Sequence, residues 1–82
     1  MDFPVTNTPR AIPDLEEGTS YVIQNRSIDE VNVAFSDTMP ESTSQDAALL
    51  HERGDEVTFS LDDGEYAWVW GWPGFVFYKE SL

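Results

Sequence analysis

The chain has 82 residues, with sixteen Asp and Glu against four Lys and Arg, a net charge of −12. That length allows one domain with one small core and leaves no room for a separate cofactor domain, and the charge argues against binding nucleic-acid phosphates or anionic lipid, which are recognised by Lys and Arg. The absence of cysteine excludes disulfides, thiolate catalysis and Cys-based zinc sites, and no apolar run approaches the ~20 residues that cross a bilayer as a helix.

Met1-Asp2-Phe3-Pro4 opens the chain without the basic-then-apolar pattern of a signal peptide. Residues 1–13 hold Pro4, Pro9 and Pro13. Proline fixes φ and removes a backbone donor, so this stretch suits an extended N-terminal arm or an edge strand and not a central strand. The expected organisation is an arm over 1–13 followed by a single β-domain over 14–82. A strand is expected near 5–8 and another at 20–25, after Gly18. Val31, Val33 and Phe35 alternate with Asn32 and Ala34, which predicts a strand over 30–35. The stretch Met39-Pro40-Glu41-Ser42-Thr43-Ser44 is polar and reads as a loop.

Residues 44–51 are the only helical candidate, with the good formers Ala47, Ala48, Leu49 and Leu50. They suit either a single helical turn or a short strand at 48–51, and eight residues make a weak helix alone. Val57, Phe59 and Leu61 alternate with Thr58 and Ser60, giving a strand over 56–61. Asp62-Asp63-Gly64-Glu65 reads as a tight hairpin with Gly64 at positive φ. An aromatic strand follows at 66–71. Trp72-Pro73-Gly74 then reads as a type II turn with Gly74 at its third position, before a last strand at 75–79. Six or seven short strands with regular turns predict an all-β fold, a small β-sandwich or barrel.

Tyr66, Trp68, Trp70 and Trp72 fall on one side of the aromatic strand, with Ala67 and Val69 on the other. Both faces are apolar, so the face turned from the core needs cover from the arm, from a second subunit or from a ligand. A tryptophan stripe also stacks on sugars. The candidate interface residues are Phe3, Val5 and Ile12 of the arm together with Trp68, Trp70 and Trp72.

The carboxylates cluster at the expected turns, where solvation is their default, so no catalytic pair is assigned. Asp62-Asp63-Gly64-Glu65 offers oxygen ligands but lacks the spaced ligands and closing Glu of an EF-hand, and no metal or cofactor site is assigned. His51 has no second histidine and no nucleophile at a recognisable spacing, and reads as a surface or interface residue. Neither G-x-G-x-x-G nor a Walker A run is present. Asn25-Arg26-Ser27 matches a glycosylation sequon but sits where a turn between strands is expected. With so few cations, Arg10, Arg26, Arg53 and Lys79 are each expected to pair with a carboxylate.

Several phrases occur together in order: Val5-Thr6-Asn7-Thr8-Pro9, Tyr21-Val22-Ile23-Gln24-Asn25-Arg26-Ser27, Val31-Asn32-Val33-Ala34, a polar loop holding Pro40, Leu49-Leu50 before Gly54, and Trp68-Val69-Trp70. Across most of residues 5–78 this resembles the small all-β virion proteins of tailed bacteriophages that decorate the head or sit at the neck and tail. The resemblance implies a non-enzymatic structural role in the virion. It also implies a major capsid protein, or another virion protein, as partner. Head decoration proteins of this kind bind the outside of the capsid, often as trimers at local threefold positions, so a homo-oligomer with three subunits is the expectation. Nucleic acid and membrane are not expected partners. A different class, an acidic inhibitor that mimics DNA for a host nuclease, rests on the charge alone.

Overall fold

The computed structural model describes residues 1–44 and 47–81. Eight strands follow in order: β1 (Asp2–Val5), β2 (Arg10–Ala11), β3 (Ser20–Asn25), β4 (Val31–Ser36), β5 (Ala48–Leu50), β6 (Glu56–Ser60), β7 (Tyr66–Gly71) and β8 (Gly74–Glu80). They form two antiparallel sheets of four, in the orders β1-β8-β3-β6 and β2-β7-β4-β5. The expected all-β sandwich is the fold found. Every connection except β4–β5 passes from one sheet to the other. This strand order is that of a jelly roll, two facing sheets built from interlocked Greek keys.

Period-two patterning explains the layering. Val31 and Val33 of β4, Ala67 and Val69 of β7, Ile23 of β3 and Val76 of β8 are all fully buried between the sheets. Their alternation with polar or half-exposed neighbours turns one face of each strand inward. Phe59 closes one side of the core, its ring 4.6 Å from Phe35 and 5.9 Å from Tyr21.

Several local expectations are corrected. The first strand lies at Asp2–Val5 instead of 5–8. Thr6 Oγ1 accepts from the Thr8 amide and donates to the Thr8 carbonyl, which bends the chain where the strand was expected. Residues 1–13 do not leave the body as an arm. β1 pairs along β8, Arg10 and Ala11 pair with Val69 and Trp68, and Phe3, Val5 and Ile12 sit in the chain's own core. Residues 48–50 form a strand against β4 and not a helical turn, with Leu50 opposite Val31; Gln45 and Asp46 of that stretch lie outside the described residues.

Neither turn beside the aromatic strand is a hairpin. Asp62–Glu65 is a tight turn with Gly64 at φ 80° and the Glu65 amide on the Asp62 carbonyl. It joins β6 of one sheet to β7 of the other. Trp72-Pro73 likewise carries the chain from β7 across to β8, and Gly74 does not take positive φ. Gly74 is required for another reason: a Cβ there would lie 2.1 Å from Ser27 Oγ and 2.8 Å from Ser27 Cβ.

Asn25 and Ser27 are the buried polar residues among those described. Asn25 Nδ2 donates to the carbonyls of Asp29 and Leu50, both at 3.0 Å, and its Oδ1 accepts from the Ser27 amide at 2.7 Å. Asn25 belongs to β3 in one sheet and Leu50 to β5 in the other. One side chain thus ties the two layers together at one end of the sandwich. The sequon is a structural turn with its asparagine fully enclosed.

Candidate functional site

The six sequence-derived interface residues do not come together on one surface. Phe3, Val5 and Ile12 are core residues. Trp68 is half-buried, donates through Nε1 to the Ser36 carbonyl at 3.1 Å and packs edge-on to Tyr66. Trp70 lies on the outward face of its sheet yet is only 2% exposed. The polar loop after β4 folds over it, and the Trp70 Nε1–H donates to the Ser42 carbonyl at 2.9 Å. The cover that the apolar strand demanded comes from the chain's own loop. The stripe is therefore no open platform for stacking sugars; of its three tryptophans only Trp72 stands free, at 68% exposure.

A different surface forms where the β3–β4 loop meets the β7–β8 connection. The Arg26 amide donates to the Phe75 carbonyl, and Ser27 Oγ both accepts from the Phe75 amide (2.9 Å) and donates to the Phe75 carbonyl (3.1 Å). These bonds draw the two segments into contact, with Ser27 packed against Gly74. Ile28 is 81% exposed and Phe75 55% exposed. Phe75 and Phe77 project outward from β8 next to Arg26 and Arg53. Together with Asp2 they line an open cavity of about 540 Å³.

The charge on this surface departs from the expectation. Among the described residues the only contact at ion-pair distance is His51 with Glu30, at 3.4 Å and largely exposed, and it is an ion pair only when the imidazole is protonated. Among the described residues the arginines and Lys79 pair with no carboxylate. Arg26 lies over the Phe77 ring at 5.3 Å and Arg10 over Phe3 at 5.5 Å. The register explains this: Gln24 sits opposite Phe77 on β8, so Arg26, two residues on, reaches an aromatic face, while most carboxylates are held in turns. A guanidinium over a ring gains about 0.5–1 kcal/mol at an exposed site and keeps its N–H groups available.

At the opposite end, the β2–β3 and β6–β7 loops bring Asp14, Glu16 and Glu17 near Asp62, Asp63 and Glu65. Glu17 Oε1 accepts from the Gly64 amide at 3.1 Å and Glu65 Oε1 from the Asp62 amide at 2.8 Å. These two carboxylates cap backbone donors, and no group of three or more metal-ligating side chains gathers among the described residues. His51 is a surface residue, as read from the sequence.

Phe75, Phe77 and the two arginines were missed as a site because they come from separate parts of the chain. The local signal was two phenylalanines beside the Trp72-Pro73-Gly74 bend. It does not say which strand lies alongside. No family model, curated protein or solved structure matches this chain.

Proposed function

We propose that the protein is a non-enzymatic structural component of a tailed-phage virion, a decoration protein that docks on the outer surface of a capsid. The observation that carries the docking reading is the exposed Phe75 with Phe77, Arg26 and Arg53 around one open cavity. Aromatic side chains and arginine are enriched in protein interfaces, and an exposed apolar patch on a small protein marks an interaction site. The resemblance of the strand phrases to phage virion proteins supplies the partner, a major capsid protein. Placement at the neck or tail is the nearest variant. A rigid sandwich with such a tip at one end suits attachment, and the high negative charge keeps the free subunit soluble.

The test is co-sedimentation of the purified protein with phage heads that lack it. Wild type should travel with the heads, and Phe75→Ser combined with Arg53→Ser should remain in the supernatant while melting at the wild-type temperature. Failure of the wild type to sediment, or full attachment of the variant, would refute the reading. The gathering of six carboxylates on two touching loops favours one second reading, an acidic DNA mimic. It is tested by whether the protein displaces duplex DNA from a nuclease and loses that ability when Asp62, Asp63 and Glu65 become amides.

A further inference from the structure

The four outer strands of the two sheets are unequally protected. β1 carries Pro4, and β2 has only two residues between Pro9 and Pro13. The pairing of Met1 with Tyr78, N–H to O in both directions, puts Pro4 among the positions whose backbone faces away from β8, so that edge lacks a donor there. β5 has three residues. β6 is five residues long and contains neither proline nor lysine, the usual devices that block an edge.

The hydrogen-bond parity of β6 follows from its entry. The Asn25 amide donates to the Asp55 carbonyl at 2.8 Å, and backbone groups alternate in direction along a strand. Val57 and Phe59 therefore bond to Ile23 and Tyr21 of β3, their register partners. The N–H and C=O groups of Glu56, Thr58 and Ser60 point away from the sheet, and no described residue bonds to them.

We propose that β6 pairs antiparallel with β6 of a second copy about a twofold axis through Thr58. In that register Thr58 faces Thr58 of the other copy, and Glu56 faces Ser60. No like charges stand opposite each other, and Thr–Thr pairs are favourable across strands. On the inward face half-buried Val57 meets Phe59 in the closely spaced, non-hydrogen-bonded positions. The strand is thus self-complementary in one register, as an isologous contact requires. The two Glu56 carboxylates lie four residues apart along the ladder, about 14 Å, beyond the screening length of roughly 8 Å at physiological salt. The result is a pair of sandwiches sharing one continuous sheet, in place of the three-subunit arrangement expected from the resemblance. It leaves the Arg26–Phe75 end outside the contact and does not depend on a virion partner.

Sedimentation equilibrium tests it directly. Wild type should approach twice the 9.3 kDa of the chain, and added salt should strengthen the pairing, because it screens the repulsion between two strongly acidic subunits. Thr58→Lys and Thr58→Glu should each sediment as monomers with an unchanged melting temperature, since Thr58 is exposed on the outward face. Mixed in equal amounts, the two should form a heterodimer. A wild type that stays monomeric at submillimolar concentration overturns the proposal. So does an oligomer that survives Thr58→Lys, or a mixture of the two variants that does not associate.

Discussion

Replacing Asn25 by alanine removes one side chain from three partners. The Ser27 amide is left buried without a bond, the Asp29 carbonyl is left partly buried, and the Leu50 carbonyl keeps only its ladder position opposite Val31. An unsatisfied buried group costs about 1–3 kcal/mol. The backbone bonds of residue 25 to Gly54 and Asp55 survive the change, so the loss is confined to the side chain. One full penalty and two partial ones give about 2–4 kcal/mol, with some relief as the turn relaxes. A domain of this length has a total stability of roughly 4–12 kcal/mol, so Asn25→Ala should remove a large share of it.

Urea unfolding followed by tryptophan fluorescence reads the effect. With a slope of about 1 kcal/mol/M for a small domain, the midpoint should fall by roughly 2 M or more. Asn7→Ala, at an exposed loop position, serves as the control and should move the midpoint little. Asn25→Asp sharpens the test because it keeps the shape and the acceptor but turns the donor into an oxygen facing two carbonyls. Burial raises the pKa of such an acid in the folded state. The unfolded chain ionises above about pH 3.9 while the folded one resists. Relative to wild type at the same pH, the penalty should therefore be least below that pH and grow by about 1.4 kcal/mol per unit above it, until the folded-state pKa is passed. An Asn25→Ala variant losing less than about 1 kcal/mol, the value of one ordinary net hydrogen bond, would refute the view that this side chain fastens the two sheets.

Gly74→Ala should destabilise by about 1–3 kcal/mol through overpacking against Ser27; in thermal melts, the double variant with Ser27→Gly should lose less than the sum of the single changes. Trp70→Ala should cost about 3–5 kcal/mol and should release the covering loop, seen as faster proteolytic cleavage within residues 37–47 under native conditions. Deleting residues 1–12 removes β1, β2 and three buried apolar side chains, each contributing about 1.5–3 kcal/mol. The truncated chain should fail to give a cooperative melt, whereas a freely projecting arm would leave the melt unchanged.

The sequence by itself determined the strands and the inward face of each. Alternation in Val31-Asn32-Val33 and Ala67-Trp68-Val69 is a local property, since neighbouring side chains must point to opposite sides of a strand. Glycine at 64 and the bend at Trp72-Pro73 were likewise legible as breaks. What the sequence could not reveal is which strand lies beside which. The segments flanking β7 read as a tight hairpin and a type II turn because turn signals are local, yet each crosses to the opposite sheet, and only the packing of all eight strands decides that. The same holds for the prolines of the first thirteen residues. They exclude a central strand, but an edge strand and an arm obey the same local chemistry, and burial of Phe3 and Val5 against β8 is a long-range event. Trp70 reads as surplus apolar surface until a loop more than twenty-five residues earlier in the chain folds over it. The Arg26–Phe75 surface exists only because Ser27 bonds a segment forty-eight residues away. Local conformation follows from side-chain sterics along the chain, whereas a surface shared by distant segments follows from the closure of the sandwich.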